Sequence, residues 1–164
     1  MKKYLFILLI CFSCNSPKPV EETKNEINAL VDQWHKAAAE ANFDNYFNAL
    51  SEDAIFIGTD ATENWNKTDF MAYSKPYFDR GKAWSFTTLE RNVFITDDGK
   101  TAWFDELLNT QMKICRGSGI LTNENNQWKI KHYVLSMTIP NENSDVVIKA
   151  KDSLESLLIQ KLKK

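Results

Sequence analysis

The stretch 101–119, TAWFDELLNTQMKICRGSG, alternates between two kinds of side chain. One side holds Ala102, Phe104, Glu106, Leu108, Thr110 and Met112, and the other holds Thr101, Trp103, Asp105, Leu107, Asn109, Gln111 and Lys113. A mainly apolar face backed by a mixed one marks a strand of an antiparallel sheet with one side on the core. Glu106 is the only charge on the apolar side, and Arg116 follows within the same hairpin. A carboxylate placed there is unfavourable unless it is paired or hydrogen-bonded. Three readings stay open. Arg116, which shares a face with Ile114, Ser118 and Ile120, would form an ion pair with Glu106 and fix the register. Alternatively, Arg116 would anchor a carboxylate or carbonyl of a ligand. An unpaired Glu106, its pKa raised by desolvation, would serve as a general base. A bulge near Asp105 would swap the faces and make Asp105 the inward acid.

Working outward, four strand patterns follow one another: WSFTTLERNVFIT (84–96), TAWFDELLNTQM (101–112), ICRGSGILT (114–122) and WKIKHYVLSMTI (128–139). Short polar turns join them, which predicts an antiparallel meander. On the last strand His132 is in phase with Trp128, Ile130, Val134 and Ser136 and is expected to point inward, as a hydrogen-bonded core histidine or as a catalyst. Upstream, Ile27, Leu30, Val31, Trp34, Ala38 and Ala41 form the stripe of a helix over 21–41, with His35 at its edge and expected on the surface. Asp44 is expected to cap a short helix over 43–50, and a brief strand follows at 54–58. A third helix over 66–81 has Asn66 as its cap, Gly81 at its end and Pro76 as a kink or restart. Its Phe70, Tyr73 and Tyr77 share a face, and an inward phenol needs a polar partner. A last helix over 144–162 carries Val147, Ala150, Leu154, Leu157 and Leu158. Its KLKK end suits a helix C-terminus and does not read as a membrane anchor.

Together these give an α+β fold: a curved antiparallel sheet wrapped by N-terminal helices into a cone, with a C-terminal helix. The concave side of the sheet and the inner helix faces would line the cone. Tyr73, Tyr77, Arg116, Trp34 and Phe104 are the expected ligand-binding residues, and Glu106 and His132 the expected catalytic ones.

The 164 residues are 43% hydrophobic and 26% charged, an ordinary globular balance that argues against a largely disordered chain. A formal charge of −2 with acids and bases interspersed leaves no basic stripe for nucleic acid. Two His and a lone downstream Cys lack metal-ligand spacing, so no metal is expected. No P-loop, dinucleotide fingerprint or nucleophile elbow occurs, and no cofactor is expected.

The first residues read as a targeting segment: MKK is a basic start, YLFILLI an apolar run, and CFSC follows at once. This resembles a bacterial lipoprotein signal cleaved before Cys14, with an ordinary secretory signal as the alternative. The resemblance implies a signal over 1–13, a tether over 14–21 and a domain over 22–164. It also implies lipidation of Cys14 and a place in the cell envelope, the outer membrane favoured, facing the periplasm or the surface. Cys115 would then be the one thiol left, so no intrachain disulfide is expected.

The stretches NFDNYFNALSEDAIFIGTD, KTDFMAYSKPYF, AWFDELL, CRGSG and WKIKHYVLSMTIPNE, spanning about 25–142, resemble the SnoaL-like branch of the nuclear transport factor 2-like superfamily. The resemblance implies the cystatin-like cone fold. It also implies a choice among ketosteroid-isomerase, cyclase or dehydratase chemistry, ligand binding and assembly. In its enzymes a carboxylate in the cone acts as base, a place that Glu106 could take, while a Tyr or second acid donates to an oxyanion. The histidine that many relatives carry two positions beyond His132 is Val134 here. The leading expectation is therefore an envelope domain binding a small apolar or aromatic molecule with a polar head. An isomerase-type enzyme with Glu106 as base and a partner-binding scaffold are the alternatives. A homodimer through Trp103 and Leu107 competes with a monomer whose C-terminal helix covers them.

Overall fold

The structure, a computed structural model, describes residues 18–163. The lipoprotein signal, Cys14 and the first half of the tether lie outside the described residues. The chain runs α1 (Val20–Ala39), α2 (Phe43–Asn48), β1 (Leu50–Ile57), β2 (Asn64–Asn66), α3 (Lys67–Asp79), β3 (Thr87–Ile95), β4 (Thr101–Thr110), β5 (Lys113–Glu124), β6 (Gln127–Met137), a 3-10 turn (Asn141–Asn143) and α4 (Ser144–Leu162).

The strands form one sheet in the order β2-β1-β6-β5-β4-β3. Its β3–β6 half is the antiparallel meander that the turns predict, whereas β1 lies parallel to β6. Turn chemistry fixes the hairpins. Asn125 and Asn126 both have positive φ (52° and 65°), the backbone a two-residue hairpin turn requires and that Asn tolerates. Along β4, Ala102, Phe104, Glu106, Leu108 and Thr110 are all buried, so the alternation in the sequence is the pleat of the strand.

On β6 the alternation breaks. Ile120 pairs with His132 but Leu121 pairs with Ile130, so Lys131 is an extra residue. Trp128 and Ile130 point inward before this bulge, and Tyr133 and Leu135 after it. His132, expected inward, is turned to the outer face and half-buried. A one-residue bulge swaps faces because the side-chain period is two. The expected bulge near Asp105 does not occur: β4 and β5 pair without a shift.

Helices α1, α2 and α3 lie over one face of the sheet. α1 packs on β3 and α2, and α3 packs on β1, β2 and α2. Contacts on two sides widen the buried stripe of α1 to include Trp34, His35, Ala37 and Ala38. His35, expected at the surface, is therefore inside the molecule. The cap of α2 is Asn42, which accepts from the Asn45 N–H, rather than Asp44. α3 begins at the expected Asn66 cap and its hydrogen bonding continues through Pro76 without a restart. It closes on Gly81 at φ 69°, a left-handed stop. α4 touches chiefly the 3-10 turn before it and buries none of its residues. Trp103 remains 45% exposed, so α4 does not cover the outer sheet face. Among the described residues no helix is long and apolar enough to cross a membrane.

Candidate functional site

Glu106 sits at the centre of a closed polar cluster. It is 1% exposed, and its Oε1 accepts from His35 Nε2 at 2.9 Å and from the Tyr133 hydroxyl at 3.0 Å. Its Oε2 accepts from Arg91 Nε at 2.9 Å, and Arg91 Nη2 stands 2.9 Å from it in an ion pair. Both carboxylate oxygens are thus engaged, by three hydrogen bonds and the guanidinium charge. Burial pushes the Glu106 carboxyl up, but the His35 hydrogen bond and charge and the Arg91 guanidinium outweigh it, so it titrates below its ordinary value. An ionised carboxylate cannot donate, so His35 Nε2 carries the proton in this bond. Burial and the Glu106 charge push the Tyr133 hydroxyl well up, so it stays a phenol.

Arg91 is satisfied at its remaining nitrogens. Nη1 donates to Asp32 Oδ1 at 2.8 Å and to the Asn28 carbonyl at 3.3 Å, and Nη2 donates to Thr88 Oγ1 at 3.0 Å. Thr88 and Arg91 reach the same side because Leu89 is bulged out of β3. The CRGSG stretch supplies space. Gly117 lies opposite Glu106, and a Cβ there would meet the Tyr133 hydroxyl oxygen at 2.3 Å and Glu106 Oε1 at 2.8 Å. At Gly119 a Cβ would meet the Phe104 ring at 2.6 Å. These two glycines let Tyr133 and Phe104 cross the sheet face.

Beside the cluster, Trp34 stacks on Tyr46 at 5.0 Å and meets Tyr133 edge-on at 4.8 Å. The Trp34 Nε1 and Tyr46 hydroxyl are buried without a hydrogen-bond partner. Burial pushes the Tyr46 hydroxyl well up, and the Trp84 indole lies edge-on at 5.4 Å without bonding it.

The expected partner of Glu106 was Arg116, and this is corrected. Arg116 pairs across from Leu107, on the opposite face, and is exposed. Arg91, directly opposite Glu106 on β3, takes the role. The sequence carried that signal in the DDGK turn, since counting back from it aligns Arg91 with Glu106. Tyr133 was hidden by the bulge, and His35 by the double-sided packing of α1. Trp34 and Phe104 are inside as expected, whereas Asp105 faces outward and accepts from Asn92.

Tyr73 and Tyr77 do not reach the Glu106 cluster: they are 43% and 38% exposed, at the mouth of the cone. Tyr73 borders a hollow of about 190 Å³ that also touches Phe56, Phe70, Trp84, Phe86, Met112 and Leu135, with Glu63 and Gln111 among its polar lining. Tyr77 borders a separate surface depression with Arg80 and Lys82. Among the described residues, no three His, Cys, Asp or Glu side chains cluster as metal ligands would.

An open curved sheet with helices on one face, enclosing a cone with a mouth, is the fold that solved NTF2-like structures share. Residues 27–140 match the SnoaL-like domain family, and the chain belongs to it. Solved structures share the fold at low identity. An NTF2-like protein from Pseudomonas putida KT2440 is 14% identical, with a TM-score of 0.64 over 75% of this chain and 92% of its own. A candidate dehydratase of the NTF2-like family from Streptomyces avermitilis is 10% identical, with a TM-score of 0.63 over 74% of this chain and 100% of its own. The association domain of C. elegans CaMKII is 17% identical, with a TM-score of 0.59 over 71% of this chain and 96% of its own. No curated protein sequence matches the chain. At such identities the likeness shows the fold alone.

Proposed function

We propose that this SnoaL-like domain is the binding module of an envelope lipoprotein. Its ligand is a small apolar or aromatic molecule with a polar head, held in the hollow at the mouth of the cone. One observation carries the choice over isomerase-type catalysis. Both oxygens of Glu106 are hydrogen-bonded, Arg91 pairs with it and its carboxyl is held ionised, whereas a general base works best with a pKa near the operating pH. The aromatic hollow, by contrast, is open and half lined by rings. Trp84 in its wall supplies a readout. One-ring aromatic molecules of varied head group, titrated into the full chain, are expected to change Trp84 fluorescence saturably at millimolar concentration or below. A Trp84→Phe variant with unchanged melting should lose the signal. No saturation with any head group would sink the reading.

The envelope assignment rests on the basic, apolar and Cys14 pattern at the start of the chain. Mass spectrometry of membrane-extracted protein is expected to show a chain that begins at an acylated Cys14. A chain beginning elsewhere, or with an unmodified Cys14, would remove it.

We also propose a homodimer through the outer sheet face. Phe94 and Trp103 stack there at 5.5 Å while 44% and 45% exposed, and Ile114 and Ile120 are exposed on the same face. Similarity to an association domain agrees with a self-assembling use of this fold. Sedimentation should give twice the chain mass for wild type and the chain mass for Trp103→Lys. A wild-type monomer at micromolar concentration would end this proposal.

A further inference from the structure

The two carboxylates nearest the cone differ in what neutralises them. Glu106 is closed off by Arg91 and His35, whereas Glu63, at the rim of the hollow, has no cationic side chain within 4.0 Å among the described residues. Of the eleven residues that line the hollow, Glu63 is the one with a charge, and five are aromatic: Phe56, Phe70, Tyr73, Trp84 and Phe86.

Backbone geometry holds the Glu63 carboxylate at the rim. The Gly58 N–H donates to the Glu63 carbonyl at 2.9 Å, and the Asp60 N–H donates to Glu63 Oε2 at 3.2 Å. A Cβ on Gly58 would meet Glu63 Oε2 at 2.2 Å, so glycine is what lets the carboxylate fold over this turn. Behind the wall, Trp65 stacks on Tyr73 at 4.5 Å and on Phe70 at 5.6 Å, which fixes two of the rings. The Arg80 guanidinium lies over Tyr77 at 5.0 Å and lines the neighbouring depression instead. The Tyr73 hydroxyl is pushed up to about 12, first by its hydrogen bond with Tyr77, then by burial, the Tyr77 charge and the Glu63 charge.

Resting on the binding reading above, we infer that the hollow selects an organic cation: a one-ring aromatic or compact apolar molecule that carries an ammonium group, with Glu63 facing the charge and the aromatic faces taking the ring. Aromatic faces attract cations through their quadrupole, most strongly when water is displaced. An anionic head would meet an uncompensated carboxylate, and a neutral head would gain only the apolar contact. Size sets the rest. An apolar cavity of about 150 Å³ accommodates benzene, so about 190 Å³ suits one ring with a short arm.

Three probes that differ only at the head test this: 2-phenylethylammonium, 2-phenylethanol and phenylacetate, titrated calorimetrically into the full chain at low salt. The expected order is the ammonium tightest, about tenfold over the alcohol, with phenylacetate weakest. In Glu63→Gln, whose amide oxygen still accepts from the Asp60 N–H, the ammonium-to-alcohol ratio should fall to about one. Glu63→Asp, which keeps the charge, should restore part of the preference. Alcohol or phenylacetate binding as well as the ammonium in wild type would overturn the charge selection and leave the binding reading standing. A ratio unchanged in Glu63→Gln would overturn the role of Glu63. No saturation by any of the three would overturn both readings.

Discussion

Glu106 and Glu63 are two carboxylates of one cone with opposite solutions to the same problem. Deep in the cone, His35, Tyr133 and the Arg91 guanidinium surround Glu106 with three hydrogen bonds and an ion pair. At the mouth, one backbone N–H steadies Glu63 and rings stand in place of a countercharge. The comparison teaches that a buried acid on an apolar face does not by itself mark chemistry. A buried charge must be neutralised for the chain to fold, whereas a rim charge is solvated and can be left open.

The largest test removes the neutralising partner. Arg91→Ala leaves Glu106 buried beside His35 without the guanidinium and is expected to lower unfolding free energy by about 3–5 kcal/mol, read by urea denaturation. A loss under about 1 kcal/mol would show that the clamp is not structural. The pH dependence carries a sign. A carboxyl with a depressed folded pKa contributes stability above its unfolded value, ordinarily 4.5, and loses it as pH falls through the folded value. Wild type should therefore lose stability in acid below about pH 4.5, and Glu106→Gln should flatten that slope.

Next in size is Gly117→Ala. The added methyl would overlap the Tyr133 hydroxyl and Glu106, and a loss of about 1–3 kcal/mol is expected from overpacking. A melting temperature equal to wild type would mean that the two strands separate freely there.

The two buried phenols give a finer contrast. Tyr133→Phe removes a donor to an ionised group and should lose about 1.5–3 kcal/mol. Tyr46→Phe removes a hydroxyl that bonds nothing and should be neutral or stabilising. Equal losses in the two variants would contradict the hydrogen-bond assignment. The smallest effect belongs to the rim: Glu63→Gln should shift stability by no more than about 0.5 kcal/mol, and a larger loss would make Glu63 a second structural acid.

Particular elements show how far the chain is legible. Alternation on β4 gives the pleat and the inward Glu106, and the polar turns give the meander. Asn66 and Gly81 bound α3. Those signals are local: periodicity, caps and turn residues act within a few positions of chain. Arg91 was readable from the hairpin turn, since register propagates along paired strands. His35, by contrast, owes its burial to α1 packing on two neighbours, which no single-helix stripe reveals. Tyr133 replaces His132 because a bulge after Ile130 advances the strand by one residue, and nothing in WKIKHYVLSMTI marks it.

By itself, then, the sequence determined an α+β cone, the strand that carries the acid and the residues that bound α3. Only the tertiary structure decided that Arg91, His35 and Tyr133, drawn from a helix and two strands, converge on Glu106. It likewise decided that Arg116 faces away and that the aromatic wall opens at the mouth beside Glu63. The physical reason is one of range. Secondary structure follows from neighbours along the chain, but charge neutralisation and cavity shape depend on which faces meet, and a single inserted residue in a strand reverses a face.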